Sequence, residues 1–183
     1  VTDINPEFTL GDMARKRQEI IRQLKEEGVF DLQKDLRIPM FAQRIAVISS
    51  ATAAGYGDFC NQLADNSLHL IFHTELFAST MQGEHVEQSV IAALNMINDR
   101  ADDFDVVVII RGGGGTSDFS GFDTLALAEN VANFPLPIIT GIGHDRDECI
   151  LDMVSNTRVK TPTAAAAFLV DNLAATYDAV ADA

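Results

Sequence analysis

The sequence predicts an α/β fold: a mainly parallel sheet of about four strands, flanked by helices, with an extra helix near each end of the chain. Three observations predict this class. Four short runs are rich in aliphatic and β-branched residues, as is typical of buried strands. Segments with helical periodicity separate these runs, and such alternation favours right-handed crossovers in a parallel sheet. Turns rich in small residues follow several strands, at the ends where such sheets bind ligands.

The strands are predicted over residues 44–50, 68–77, 106–110 and 135–142. The third run, VVVII, has no polar position, as expected for a strand buried on both faces. Helical patterns are predicted over residues 58–63, 83–99, 124–134, 147–154 and 163–180. An earlier helix has a capping-box-like start at Thr9 and stops at Gly28. These elements predict a flavodoxin-like three-layer arrangement.

The length of 183 residues suits one domain with appended segments. We expect residues 1–39 to form a linker and helix, residues 40–170 the α/β domain, and residues 171–183 the start of a further helical region. The first residue is Val1 rather than Met, and the last helical pattern runs to the end of the sequence. We therefore expect the chain to be a piece of a longer protein.

The charge of the chain is strongly acidic and unevenly distributed. The formal net charge is −14, which argues against a general nucleic-acid-binding surface. Residues 1–50 are neutral, whereas the rest of the chain has only five basic residues. These are Arg100, Arg111, Arg146, Arg158 and Lys160. Four of the five lie in or beside the predicted site, so the pattern favours a focused anion site over a broad DNA-binding face.

Hydropathy and cysteine content predict the compartment. The sequence has no apolar stretch of about eighteen residues, so we expect no membrane span. It also has no signal-peptide pattern. Cys60 and Cys149 have neither the spacing of a metal site nor that of a disulfide framework. We therefore expect two reduced cysteines and a cytoplasmic location.

The stretch DVVVIIRGGGGTSD, residues 105–118, is the strongest signal for a binding site. A buried strand runs directly into Arg111 and then into Gly112, Gly113 and Gly114. Glycines allow successive backbone N–H groups to form a nest for an anion, and an adjacent guanidinium can bind phosphate through two hydrogen bonds. The alternative is a flexible glycine-rich hairpin or linker. The strand that ends at Arg111 favours a phosphate site, in a surface loop at the carboxyl end of the sheet.

Acidic and histidine side chains follow other strand ends. In GIGHDRDE, residues 141–148, His144 follows a strand and Asp147 comes three residues later, so the carboxylate could orient the imidazole for acid–base catalysis. The alternative is that both residues cap a helix. Asp58 follows a turn of small residues and is either a base, a metal ligand or an ordinary residue of a helix start. The same choice applies to Asp118 and Asp123.

The carboxyl ends of parallel strands share one edge, so we expect Asp58, Arg111 and His144 to converge there. The chain contains no P-loop, no dinucleotide fingerprint and no G-x-S-x-G elbow. A phosphate site with a His and an Asp, and without a nucleophilic Ser or Cys, favours phosphodiester chemistry.

The ordered motifs RIAVISSATAAGYGD, MQG, DVVVIIRGGGGTSD, PIITGIGHDRD and RVKTPTAAAA resemble the catalytic domain of the exonuclease VII large subunit family, over residues 40–170. The resemblance implies degradation of single-stranded DNA from both ends to short oligonucleotides with 5′-phosphates. It implies that residues 1–39 follow an OB-fold domain, and that a small subunit is the partner of the later helical region. In GHDRD and RGGGG the family's functional residues correspond to His144, Asp147 and Arg111.

The resemblance also bears on the other site residues and on metal. It implies that Asp58 is the family's essential acid after the first strand, with Gly112–Gly114 at the phosphate. Arg146 and Arg158 are further candidates for DNA contact. Members of the family often act without an added divalent cation, although some need magnesium. We therefore expect no required cofactor, and Asp58 and Asp147 are the candidate ligands if magnesium binds.

Two alternatives come from other classes. One is a flavodoxin-like enzyme that binds a nucleotide or phosphosugar. The other is a non-catalytic phosphate-binding module, against which the combination of Asp58, Arg111, His144 and Asp147 argues, because a scaffold needs no acid–base pair.

Overall fold

The computed structural model describes residues 6–51, 54–111, 120–142 and 149–181, with only the backbone of residues 6–10. Several predicted site residues lie outside these ranges. They are Gly112, Gly113, Gly114, His144, Arg146 and Asp147. Asp58, Arg111 and Arg158 lie within the described residues, so the structure places these three.

The described residues form a parallel five-stranded sheet. Its strands are β1 (Arg44–Ser49), β2 (His73–Ala78), β3 (Val106–Ile110), β4 (Ile138–Gly141) and β5 (Thr157–Arg158). The strand order is β2-β1-β3-β4-β5, and every pair is parallel. The α/β class and the parallel sheet are confirmed. The fifth strand was not predicted, because two residues are too short to show a period in the sequence.

Six α-helices surround this sheet in the described part of the chain. They are α1 (Pro6–Glu26), α2 (Ala54–Ala64), α3 (Val86–Asn98), α4 (Leu125–Ala132), α5 (Ile150–Val154) and α6 (Pro162–Ala181). Short 3-10 helices cover Leu32–Asp35, Ala101–Asp103 and Ser120–Phe122. Among the helices described, none combines the length and apolar character needed to cross a bilayer.

The sheet separates two hydrophobic cores, because successive strand residues point to opposite faces. Val107 and Ile109 of β3 face the core formed with α3, α4 and α5, which also takes Leu24 of α1. Val106, Val108 and Ile110 face the second core, formed with α2 and α6. The structure therefore has the three layers that the sequence predicts.

The direction in which successive strands are added to the sheet reverses at β1. From β1 the chain moves outward to β2, and then returns across β1 to form β3 on its other side. This is the flavodoxin order, in which the two crossovers leave the sheet on opposite faces and open a crevice between the carboxyl ends of β1 and β3. The fold therefore places a ligand crevice beside the residues that follow Ser49 and Ile110.

Two predicted boundaries differ from the structure by four residues or more. The strand predicted from residue 68 starts at His73, because Asn66 builds a turn there: its side-chain oxygen accepts the Leu70 N–H at 2.8 Å, and its amide donates to the Leu63 and Leu70 carbonyls. His69 lies in this turn at φ 57° and is not in the strand. The second helix starts at Ala54 rather than at Asp58, so Asp58 lies in the second helical turn.

The segment before β1 is fixed to the sheet by one buried amide. Gln33 is 0% exposed. Its Nε2 donates to the carbonyls of Phe134 (3.1 Å) and Leu136 (3.0 Å), and its Oε1 accepts the Ile138 N–H at 2.8 Å. These are the backbone groups just before and at the start of β4. A side chain from the N-terminal segment thus supplies the hydrogen bonds that the entry to β4 requires.

Replacing Gln33 should destabilise the fold strongly. The substitution Gln33→Leu leaves the Ile138 N–H and two carbonyls without their partner, and we expect a loss of about 3 kcal/mol in the free energy of unfolding. The measurement is urea denaturation. Gln43→Leu is the matched control, because Gln43 donates one hydrogen bond at the surface, to the Ile71 carbonyl, and its loss should cost less than about 1 kcal/mol. Equal losses in both variants would contradict this account of β4.

Candidate active site

Arg111 follows the last residue of the central strand β3. Its backbone N–H donates to the Gly141 carbonyl at 3.1 Å, which extends the pairing of β3 with β4 by one residue. The residue is only 6% exposed, so the expectation of a surface loop is wrong at this position. By strand alternation its side chain shares a face with Ile109, on the side of α3, α4 and α5. The sheet thus holds a buried guanidinium at the carboxyl end of its central strand.

Asp58 lies on the other side of the sheet. It is exposed on α2, next to Phe59, which packs into the core shared with α6. Its carboxylate has no hydrogen bond or ion pair within the described residues. Asp58 and Arg111 therefore flank the β1/β3 crevice from opposite layers. The described residues do not bring the two side chains into contact.

Arg158 contacts a buried carboxylate. Its Nε lies 3.6 Å from Oδ2 of Asp152, whose side chain is 1% exposed. The Arg158 side chain is more accessible, at 27%. A carboxylate at this depth is costly to bury unless a cation and hydrogen bonds compensate it. Arg158 therefore has a structural task, which the sequence prediction of a DNA contact did not include.

The amino end of α5 is held by two carboxylates. Oδ2 of Asp152 accepts from the Cys149 N–H at 3.4 Å and from Sγ of Cys149 at 3.2 Å. Oδ1 of Asp123 accepts the Ile150 N–H at 2.7 Å. Negative charge at this position also complements the positive end of the helix. The residues that directly follow segment 143–148 are thereby fixed.

Asp123 also binds α1. Its Oδ2 lies 3.4 Å from Nε of Arg17, and both side chains are mostly buried. The carboxylate therefore links three parts of the chain: the N-terminal helix α1, the turn before α4, and the start of α5. The sequence left open whether Asp123 is a base, a metal ligand or an ordinary residue of a helix start. In the structure its carboxylate contacts a helix start, but that helix is α5 and not α4, which follows Asp123 in the chain.

The thiol of Cys149 is held in its neutral form. Burial is the main cause that raises the pKa of this thiol well above 9.0, and the nearby Asp152 carboxylate adds to it. Cys149 is the N-cap residue of α5, with its side chain and that of Asp152 forming a reciprocal capping box. Its role is thus structural.

Sequence reasoning missed this network for identifiable reasons. The spacing of Cys149 and Asp152 is that of a capping box and could have been found, although Cys is an unusual residue at the N-cap. The pairing of Arg17 with Asp123 joins distant parts of the chain, and no local pattern indicates it.

The described residues define a class of protein: a doubly wound α/β domain whose central strand carries a buried arginine to the carboxyl edge, an arrangement suited to binding an anion. Comparison with known proteins gives the family. A family model described as exonuclease VII, large subunit, matches residues 29–183. The chain belongs to this family.

Three relatives illustrate the similarity, and each is named exodeoxyribonuclease 7 large subunit. The Deinococcus radiodurans protein is 36% identical over 174 residues, which cover 93% of this chain and 41% of the relative. A Nostoc protein is 35% identical over 167 residues, covering 90% and 39%. The Clostridium botulinum protein is 34% identical over 163 residues, covering 88% and 39%. The chain thus spans about two fifths of the length of these relatives.

The two cysteines should differ sharply in reactivity. The thiolate is the nucleophile towards a disulfide reagent, and burial keeps Cys149 protonated and inaccessible. With Ellman's reagent at about pH 8 we expect half-buried Cys60 to react rapidly and Cys149 only on unfolding. Cys60→Ser should remove the rapid phase, and Cys149→Ser should leave it unchanged. Rapid release of two equivalents from the folded protein would contradict the placement of Cys149.

Proposed function

We propose that this chain is the catalytic domain of an exodeoxyribonuclease that hydrolyses single-stranded DNA from both ends to short oligonucleotides with 5′-phosphates. The observation that supports it most is the buried Arg111 at the crevice between the carboxyl ends of β1 and β3. Membership of the exonuclease VII large-subunit family supports the substrate.

In the proposed reaction, Arg111 and the backbone N–H groups of Gly112–Gly114 bind the scissile phosphate. A 5′-phosphate product requires that water attacks phosphorus and that the bond to the 3′-oxygen breaks. A guanidinium placed beforehand stabilises the charge that develops on the phosphoryl oxygens, and does so most strongly where water is excluded. The low exposure of Arg111 fits this role.

The proton transfers are assigned to His144 and Asp58. His144, oriented by Asp147, serves as general acid or base, and Asp58 serves as the complementary group of the pair. Because the described Asp58 is exposed on α2, it would approach the phosphate from the layer opposite Arg111. Which of His144 and Asp58 takes the proton of water is open to a pH–rate experiment on both variants.

The two outer cations have different proposed roles. Arg146 is proposed to contact the DNA backbone next to the scissile phosphate. For Arg158, the ion pair with Asp152 supports an additional, indirect role in which it keeps α5 in place. We also propose a small-subunit partner, consistent with the family's description as a large subunit, and a reducing cytoplasmic location, consistent with two cysteines that form no disulfide within the described residues.

One observation favours a second candidate. The strand order is that of flavodoxin, and enzymes with this order bind nucleotides at the same crevice. A titration with a fluorescent mononucleotide separates the two functions, because the nuclease proposal predicts no tight mononucleotide site.

Removing the proposed phosphate ligand or acid–base group should abolish most activity. We expect Arg111→Ala and His144→Ala each to lower kcat on single-stranded DNA by roughly a hundredfold or more. The assay measures oligonucleotide release by the full-length large subunit assembled with its small subunit. Because Arg111 is buried, Arg111→Lys is included to keep the positive charge, and it should also be impaired since ammonium cannot form the two-fold contact. Arg44→Lys, at the opposite edge of the sheet, is the control and should keep full activity. Full activity in either alanine variant would refute the assignment.

The proposed mechanism also makes a prediction about metal. Among the described residues, no three His, Cys, Asp or Glu side chains group as ligands, and Asp147 lies outside them. A magnesium site needs one or two protein carboxylates, which Asp58 and Asp147 would supply, with the metal adding charge at the phosphate. Arg111 already supplies positive charge, so we propose that no tightly bound cation is required.

Calorimetric titration with Mg²⁺ and Mn²⁺ tests this proposal. We expect no binding in the micromolar range. Micromolar binding that disappears in Asp58→Asn, but persists in Asp65→Asn on the same part of the chain, would show that Asp58 is a metal ligand.

A further inference from the structure

We propose that Asp123 is a positioning residue for the reaction: its carboxylate links the described residues that follow segment 112–119 to the described residues that follow segment 143–148, the stretch of sequence that contains His144 and Asp147. The inference rests on the proposed function and adds to it a residue outside the proposed catalytic set. It depends only on contacts among described residues at the ends of those two segments.

The described residues that precede the two segments are hydrogen-bonded to each other. The Arg111 N–H donates to the Gly141 carbonyl at 3.1 Å, the last residue of β4. Ile142, the last described residue before segment 143–148, is 2% exposed. A backbone hydrogen bond between neighbouring strands thus sets the starting points of both segments relative to each other.

The described residues that follow the two segments are also linked to each other. Asp123 lies just after segment 112–119, and Ile150 just after segment 143–148. Oδ1 of Asp123 accepts the Ile150 N–H at 2.7 Å. A charged acceptor makes such a bond roughly twice as strong as a neutral one. One side chain therefore links the described residues that follow both segments.

Asp123 is itself held rigidly. Its N–H donates to the Ser120 carbonyl at 3.1 Å, and Phe122 beside it is 1% exposed. The turn packs closely against α3. If Gly121 had a Cβ, that atom would lie only 2.8 Å from Cβ of Val86, which is too close for a larger residue. From the other side, Nε of Arg17 lies 3.4 Å from Oδ2 of Asp123. The backbone of Asp123 is thus held by the turn, and its carboxylate contacts both Arg17 and the Ile150 N–H, so that the residue can transmit position as a solvated helix cap cannot.

A second carboxylate in the fold is a matched control. Asp105 accepts the N–H groups of Gln43 (3.0 Å) and Arg44 (2.9 Å), and its Oδ1 lies 2.9 Å from Nη2 of Arg44. It thus combines backbone N–H groups and a guanidinium, as Asp123 does, but at the amino edge of the sheet. Loss of Asp105 removes comparable interactions without touching the proposed site.

The experiment compares Asp123→Ala, Asp123→Asn and Asp105→Ala in the assembled complex on a single-stranded oligonucleotide. We expect Asp123→Ala to lower kcat by roughly ten- to a hundredfold, as misplaced reacting groups do, with KM within about twofold. Asp123→Asn keeps an oxygen that can accept the Ile150 N–H and should retain kcat within about threefold. Asp105→Ala should lower stability and leave kcat unchanged.

Hydrogen exchange gives a second readout that does not depend on activity. The amide of Ile150 should exchange faster in Asp123→Ala than in the wild type, and should be unchanged in Asp105→Ala. Wild-type kcat in Asp123→Ala, equal impairment of Asp123→Asn, or an unchanged Ile150 amide would each overturn the inference while the nuclease function stands. A wild-type complex that releases no oligonucleotides would overturn the proposed function and this inference with it.

Discussion

The rest of the structure depends on the burial of β3 on both faces. All five of its residues, Val106–Ile110, are 0% exposed, with alternate side chains in the two cores. A strand of this kind has no position for a charged residue until it leaves the cores. Arg111 therefore stands at the first position after the strand. The packing that stabilises the fold thus also determines where this residue leaves the sheet.

The electrostatic organisation of the two sheet edges differs. At the amino edge, the hydrogen bonds from Arg44 and Gln43 outweigh the effect of burial and lower the pKa of Asp105, so this contact joins the start of β1 to the residue before β3. At the carboxyl edge, the described ion pairs hold connecting segments instead: Arg17 with Asp123, and Arg158 with Asp152. At the carboxyl edge, Arg17 and Arg158 thus compensate carboxylates that are largely buried, and Arg111 follows the central strand.

The sequence predicts the elements with long periodic patterns and fails where a single distant contact decides. The helix predicted over residues 83–99 is present as α3, and the four apolar residues along one of its faces, Val86, Val90, Leu94 and Ile97, are all buried. The start of β2 was predicted too early because the apolar letters of residues 68–72 outweighed one turn-forming Asn66 in the pattern. β5 is too short for any period. Arg111 could be placed at a strand end from sequence, but its burial could not, because burial depends on how helices from distant parts of the chain pack against the sheet.

The same distinction explains which part of the candidate site was predictable. Residue type and strand ends identify candidate groups for the proposed chemistry, such as Asp58 and Arg111, because chemistry restricts which side chains can serve. The groups that hold the start of α5 in place are not restricted in this way, since any acceptor that reaches the Ile150 N–H could make the same hydrogen bond. Asp123 reaches it only because the turn before α4 packs on α3 while α1 brings Arg17 alongside. Positioning in this domain is therefore a property of its packed layers, and the N-terminal helix, although separate from the sheet in sequence, belongs to the structure that supports the site.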